Sequence, residues 1–416
     1  MLLRDHPIGE VRRIAAVAEV AIVAGDGSYL IDDRQSRYLD FVSGYGVAAL
    51  GHGNPHWVDA VTQQARRLCV TPFHNPVRVD YLEQLAQALP PGLDRTVLFS
   101  GGAEAVEVAV RIAQRATGRS GILAFKSAFH GKTAGVRFAG GGAEEERAKL
   151  GVGWLRHAEF PACESHSAFR YGACEESADP FFEQLGRRRD LGDVGCVIVE
   201  PVLGTAGNIP PQRCFLGELR AACDDFGWLL VFDESQTGFG RTGEMFASDL
   251  FGVVPDIMVT GKGMGGGFPL SGVAASPDLW SSAYLDQPSA TSTSFGANPL
   301  ACAAGAAVLE VIAQPAFLQS LRDVGLLLAE GLEELASASP YVSWSRGVGM
   351  MLGFDLVDPQ TGELADSSIC RQIMRSCRDR GLLLAADVPR VRLSPPLTLS
   401  QGEARQALAV LREVLT

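Results

Sequence analysis

The sequence predicts an α/β protein: a large domain with a mainly parallel, mixed sheet flanked by helices over residues 46–297, and a smaller α+β domain assembled from residues 1–45 and 298–416. Three observations predict it. The chain has 416 residues, 47% hydrophobic and 20% charged, which is too long for one small core and balanced like an ordinary globular protein. Short continuous apolar runs alternate with helical patterns through the middle of the chain, as strands buried on both faces require. Polar, glycine-flanked motifs follow directly after these runs, where ligands bind on open α/β sheets.

Taken in order, strand patterns surround Tyr29-Leu30-Ile31 and Tyr38-Leu39. A strand over 96–99 precedes a helix over 104–116. Further strands cover 122–125 and 195–199, the latter ending at Glu200-Pro201. A helix near 216–226 leads to a strand at 228–232, and the run 257–259 precedes Lys262. After Ala297 the pattern gives one long Ala-rich helix, a Gly-rich strand region over 346–356 and a final helix. Both ends of the chain are assigned to the smaller domain.

The formal net charge is −12 and is spread without long acidic runs. That excludes nucleic acid as the main partner, because phosphate contacts need clustered Lys and Arg. The start, Met1-Leu2-Leu3-Arg4-Asp5-His6-Pro7, lacks the long apolar core of a secretion signal. No apolar run reaches the roughly 20 residues that span a bilayer, so no membrane partner is expected. Nine scattered cysteines, an odd number, suit a cytoplasmic protein with free thiols. His157, Cys163, His166 and Cys174 lie close in sequence, but no tight Cys-x-x-Cys pair accompanies them, and no metal is expected.

Three segments carry chemistry. In Ser100-Gly101-Gly102-Ala103-Glu104-Ala105 a strand ends, two glycines follow and a helix begins. Its backbone N–H groups and helix dipole make an anion site suited to phosphate; a plain Gly turn reads the same way. In Phe232-Asp233-Glu234-Ser235-Gln236-Thr237-Gly238-Phe239-Gly240-Arg241-Thr242-Gly243 a carboxylate follows an apolar run. Burial demands a cationic or donor partner for Asp233, such as a protonated ring nitrogen; helix capping is the alternative. In Thr260-Gly261-Lys262-Gly263-Met264-Gly265-Gly266-Gly267 a lone Lys stands among glycines. A desolvated Lys there is a nucleophile toward carbonyls. The Walker order is absent, although a phosphate-binding Lys remains an alternative.

These segments, in this order, resemble the class III pyridoxal-phosphate aminotransferases, which include the 4-aminobutyrate, ornithine and acetylornithine enzymes. The similarity runs over residues 25–396. It implies a fold-type I transferase whose cofactor is pyridoxal 5'-phosphate, held as a Schiff base by Lys262. Lys262 would also shuttle the substrate proton. Asp233 would partner the pyridine nitrogen and Gln236 lie near the ring hydroxyl. Gly102 and Ala103 match the phosphate cradle. Phe129, followed by His130 in Ala128-Phe129-His130-Gly131-Lys132-Thr133, matches the aromatic ring stacked on the cofactor, and Glu200 lies beside the same site. Ser294, with Thr293 before it, matches a hydroxyl that binds phosphate from the neighbouring subunit, which implies a homodimer with shared active sites. Arg392 resembles the carboxylate-binding arginine, with a surface arginine as the alternative. Lys132 stands where the acetylornithine branch has an arginine, and Tyr45 lies in the pocket wall.

Two departures bear on substrate. The phosphate loop has Gly101-Gly102-Ala103 where hydroxyl side chains are usual. Thr205 stands where ornithine and 4-aminobutyrate aminotransferases have the glutamate that pairs with the C-terminal arginine. Arg392 is therefore expected to stay available for carboxylate. The resemblance implies transamination from an amino acid or ω-amine donor to a 2-oxo acid, 2-oxoglutarate or pyruvate, in amino-acid metabolism. A racemase or epimerase of the same family, a decarboxylating transaminase and a cofactor-binding protein without turnover are the rivals.

Overall fold

The computed structural model describes residues 20–140, 154–163, 178–187, 190–287, 289–384 and 389–416. Near the N-terminus lie β1 (Ile22–Asp26), β2 (Tyr29–Asp32) and β3 (Arg37–Asp40). The central strands are β4 (Arg95–Phe99), β5 (Gly121–Phe125), β6 (Leu155–Ala158), β7 (Val194–Val199), β8 (Leu229–Asp233), β9 (Ile257–Thr260) and β10 (Ser271–Ala275). Toward the C-terminus follow β11 (Val342–Val348), β12 (Met351–Leu356), β13 (Leu382–Leu383) and β14 (Arg390–Leu393).

The central strands form a seven-stranded sheet in the order β4-β10-β9-β8-β7-β5-β6. Every pairing is parallel except those of β10, which runs antiparallel to both β4 and β9. Strands β5, β7, β9 and β10 are buried at every position, which explains the apolar runs of the first three. The helix Gly102–Thr117 turns Ala105, Ala109, Ile112 and Ala113 inward, four positions on one helical face. It ends at Gly118, whose φ of +67° suits a left-handed cap. A second sheet, β1-β2-β3-β13, joins the two ends of the chain, and a third has the order β11-β12-β14.

Several expectations needed correction. The single Ala-rich helix is two helices, Pro299–Ile312 and Pro315–Ala338, bent by 73°. Pro315 lacks an N–H and pushes Gln314 to an extended ψ of 124°, which breaks the run. The strand region over 346–356 is the hairpin of β11 and β12. Before the final helix Gln401–Leu415 come the helix Ser367–Asp379 and two further strands. Strand β8 begins after Trp228 and includes Asp233. The small-residue run Ser-Gly-Val-Ala-Ala gave no strand signal, yet it forms the buried β10.

Among the described residues no single helix is long and apolar enough to cross a membrane.

Candidate active site

The carboxyl ends of β4, β5, β7, β8 and β9 lie along one edge of the central sheet, and each is followed by a polar motif. Asp233 closes β8. One carboxylate oxygen lies 2.8 Å from His130 Nδ1, and the other accepts the Ser235 backbone N–H at 3.1 Å. Both side chains are buried. Burial alone would raise the Asp233 carboxyl and lower the His130 imidazolium; their hydrogen bond and opposite charges outweigh it, so Asp233 is held below its ordinary value and His130 above. The buried carboxylate therefore has the hydrogen-bond partner its burial demanded. Among the described residues, buried His130 Nε2 finds no hydrogen-bond partner.

Lys262 opens the connection between β9 and β10. Its backbone is left-handed, with φ +43°, a conformation that costs a non-glycine residue about 1–3 kcal/mol. Its amine donates to Gln236 Oε1 at 2.6 Å. Burial lowers the pKa of Lys262; Glu200 and Asp233 pull against that shift, and the positive Arg392 and Arg241 add to it. Gly204 leaves room for the Gln236 amide, since a Cβ there would sit 2.4 Å from Oε1. Trp57 braces the loop from the other side by donating to the Gly265 carbonyl at 3.1 Å.

Gly102 and Ala103 form the first turn of the helix after β4. Glu104 turns back to accept the Gly101 N–H at 2.9 Å. The next N–H groups have no acceptor within the helix and face the end of the sheet, an anion site by geometry. The loop from β5 passes directly over this turn. At Gly131, φ is +117° and a Cβ would meet the Ala103 Cβ at 2.6 Å. Gly131→Ala is therefore expected to weaken cofactor retention and lower the melting temperature, read by dialysis and thermal denaturation of one sample. Phe129 presents a partly exposed ring while its N–H donates to Glu200 Oε1 at 2.8 Å; the other Glu200 oxygen accepts the Gly204 N–H at 3.0 Å. Glu200 thus uses both oxygens to hold loops. The Lys132 amine lies 6.0 Å from the Phe129 ring centre.

Arg392 enters from β14 in the third sheet, with its guanidinium over the ring of Tyr45. Thr293 and Ser294 lie on an exposed turn, where Thr293 Oγ1 accepts the Gly296 N–H at 2.9 Å. Among the described residues neither bonds to the Lys262–Asp233 cluster of its own chain. His166 and Cys174 lie outside the described residues, whereas His157 belongs to β6 and Cys163 is buried. Among the described residues no group of three or more His, Cys, Asp or Glu is placed to hold a metal ion.

Three residues had no role in the sequence reading. The Ser235 N–H holds Asp233. Arg241 is buried; it donates to the Met350 carbonyl at 3.2 Å and the Pro395 carbonyl at 2.6 Å, and burial lowers its pKa to about 10. Asn208 donates to the Leu352 carbonyl at 2.6 Å and the Leu393 carbonyl at 3.3 Å, tying the loop after β7 to the strands around Arg392. The Arg241 signal was available, since a charged residue inside a glycine string between apolar runs asks for buried carbonyls.

The family profile "Aminotransferase class-III" matches residues 12–415. The 5-aminovalerate aminotransferase of Pseudomonas aeruginosa is 32% identical, with 99% of this chain and 97% of the relative covered. An acetylornithine aminotransferase of Agrobacterium fabrum is 35% identical, over 95% of this chain and 93% of the relative. Among solved structures, an amine transaminase from an uncultivated Pseudomonas species, in its pyridoxal-phosphate-bound form, superposes with a TM-score of 0.85 at 27% identity, covering 99% of this chain and 97% of that one. A lysine at the end of one strand, a buried aspartate–histidine pair at the end of the next and a family match across nearly the whole length lead to one conclusion: the chain belongs to the class III aminotransferases and is a pyridoxal-phosphate-dependent transaminase.

Proposed function

We propose that Lys262 carries the cofactor and moves the substrate proton, that Asp233 sets the charge of the cofactor ring, and that Arg392 receives a substrate carboxylate. The observation that carries this reading is the placement of Lys262 and Asp233 on the ends of neighbouring strands, β9 and β8. When bound, pyridoxal phosphate supplies an aldehyde that accepts amino groups and a ring that draws electrons from the carbon being deprotonated. Asp233, kept anionic by His130, holds a proton on the ring nitrogen. Gln236 lies within hydrogen-bond reach of the Lys262 amine and orients it. Burial lowers the basicity of Lys262, which shifts it toward the neutral amine that can accept a proton from the substrate carbon and return it. Gly102 and Ala103 offer backbone donors to the phosphate, and Phe129 offers a ring face.

The donor is an amino acid or ω-amine, and the acceptor 2-oxoglutarate or pyruvate. The test is the visible absorption band of the cofactor-loaded protein, watched as amino donors are added singly. One donor should bleach the band and a 2-oxo acid should restore it. Loss of an α-proton to deuterated solvent without bleaching would give the reaction to the racemase alternative instead. With Thr205 in place of an acid, 4-aminobutyrate is expected to give a lower kcat/KM than the best α-amino acid donor. Parity between the two would overturn that point.

A homodimer with shared sites is part of the proposal, with Ser294 and Thr293 serving the neighbouring subunit. Supporting it, Phe73 and Phe295 are 78% and 65% exposed. Arg78 ties their two loops together, donating to the carbonyls of Thr71 at 3.0 Å and Ala297 at 2.8 Å. Sedimentation should give a dimer, and Phe295→Asp should give a monomer that loses cofactor on dialysis. We also place the large domain at 46–297 and the small one at 1–45 and 298–416, in keeping with the parallel pairing of β13 with β3. A cytoplasmic setting fits the free thiols at Cys69, Cys163, Cys196, Cys214, Cys223, Cys302, Cys370 and Cys377.

A further inference from the structure

The segment Ser43-Gly44-Tyr45-Gly46 has φ values of +43°, +63°, +63° and +85°. Four consecutive left-handed residues make a turn of the wrong hand for L-amino acids, and two of the four are not glycine. Such a turn persists only where its surroundings over-determine it. They do so here. One Asp40 oxygen accepts the N–H groups of Val42 and Ser43, each at 2.9 Å, and the other lies 2.8 Å from His52 Nε2. The Ser43 hydroxyl donates to the Ser394 carbonyl at 2.5 Å, and the Ser394 N–H donates to the Phe41 carbonyl at 2.9 Å. Ser394 lies two residues beyond Arg392. The turn that carries Tyr45 and the strand that carries Arg392 are therefore clamped together in register.

What the clamp achieves is one contact. The Arg392 guanidinium carbon lies over the Tyr45 ring, 5.4 Å from its centre. Among the described residues no carboxylate lies within ion-pair distance of Arg392. A planar guanidinium can rest its face on a ring and still present its N–H edge. A carboxylate partner would instead occupy that edge and compete with substrate.

We infer that Tyr45 is a positioning residue for substrate carboxylates: its ring carries Arg392 without using its donors, so Arg392 stands ready for a carboxylate in both halves of the reaction. This rests on the reading of Arg392 given above. It makes the enzyme selective for a carboxylate on the donor as well as on the acceptor, placed at the Arg392 side of the site in each.

The test is the affinity of cofactor-loaded protein for glutarate, a dicarboxylate without an amino or oxo group, measured by calorimetry. Tyr45→Leu should weaken binding roughly 2- to 30-fold, the range of a cation–ring contact. Tyr45→Phe should restore it to within about twofold. Tyr45→Asn tolerates the left-handed backbone and serves if the leucine variant unfolds. In an Arg392→Gln background, Tyr45→Leu should change nothing further. Wild-type affinity in Tyr45→Leu, or a loss that persists in the Arg392→Gln background, would overturn the inference. The absorption assay reports separately: if no donor bleaches the band, the transamination roles assigned to Lys262 fail, while the glutarate cycle still reports on Tyr45 and Arg392.

Discussion

Lys262→Ala is expected to lower turnover by at least about ten-thousand-fold, because the proposed roles of attachment point and proton carrier fall on this one side chain. The fold should survive. Lys262 is held below its ordinary pKa by burial, so its charged form opposes folding and its removal relieves that penalty. Borohydride reduction of the wild-type protein followed by peptide mass analysis checks the assignment directly. The sequence has only four lysines, Lys126, Lys132, Lys149 and Lys262, so the modified peptide is identified without ambiguity. Cofactor mass on any lysine but Lys262 would refute it, as would turnover within tenfold of wild type in the alanine variant.

Asp233→Asn is expected to reduce kcat by about 10²–10³-fold, the usual cost of losing one preorganised electrostatic group. It also breaks a buried ion pair, and the stability cost should depend on pH in a defined way. The Asp233 value is depressed, so its contribution is present above the unfolded carboxylate range and is lost as pH falls through the folded value. The His130 value is raised, so its contribution is complete below the unfolded imidazole range and is lost as pH rises through the folded value. The pair is strongest between these limits, from about pH 4 to about pH 6.5. Urea melts at pH 5.5 should show the asparagine variant less stable by roughly 3 kcal/mol. The gap should narrow at pH 9. An equal gap at both values would mean that His130 is not the partner that matters.

Much of this site was legible because it sits at strand ends. An unbroken apolar run followed by Asp233, or by Gly261-Lys262, says where the side chain must lie before any contact is known. The glycine turn that opens the helix Gly102–Thr117 was legible for the same reason. What stayed hidden was pairing across the sheet. Nothing in Phe129-His130-Gly131 announces that His130 reaches Asp233, because the two are brought together only when β5 and β8 flank β7. The strand β10 was hidden by its small residues, whose burial comes from neighbours on both sides rather than from their own bulk. The C-terminal elements were hidden because short strands such as β13 and β14 carry little periodicity of their own.

Lys262 follows β9 of the seven-stranded sheet, whereas Arg392 lies in β14 of the three-stranded one. The span between them is therefore a packing distance, held by single links such as Asn208 and not fixed by any ladder. With the roles proposed for Lys262 and Arg392, that span would act as a ruler for substrate length. Changes at Asn208, far from any reacting atom, should shift which carbon-chain length is favoured while leaving the chemistry of each accepted substrate intact.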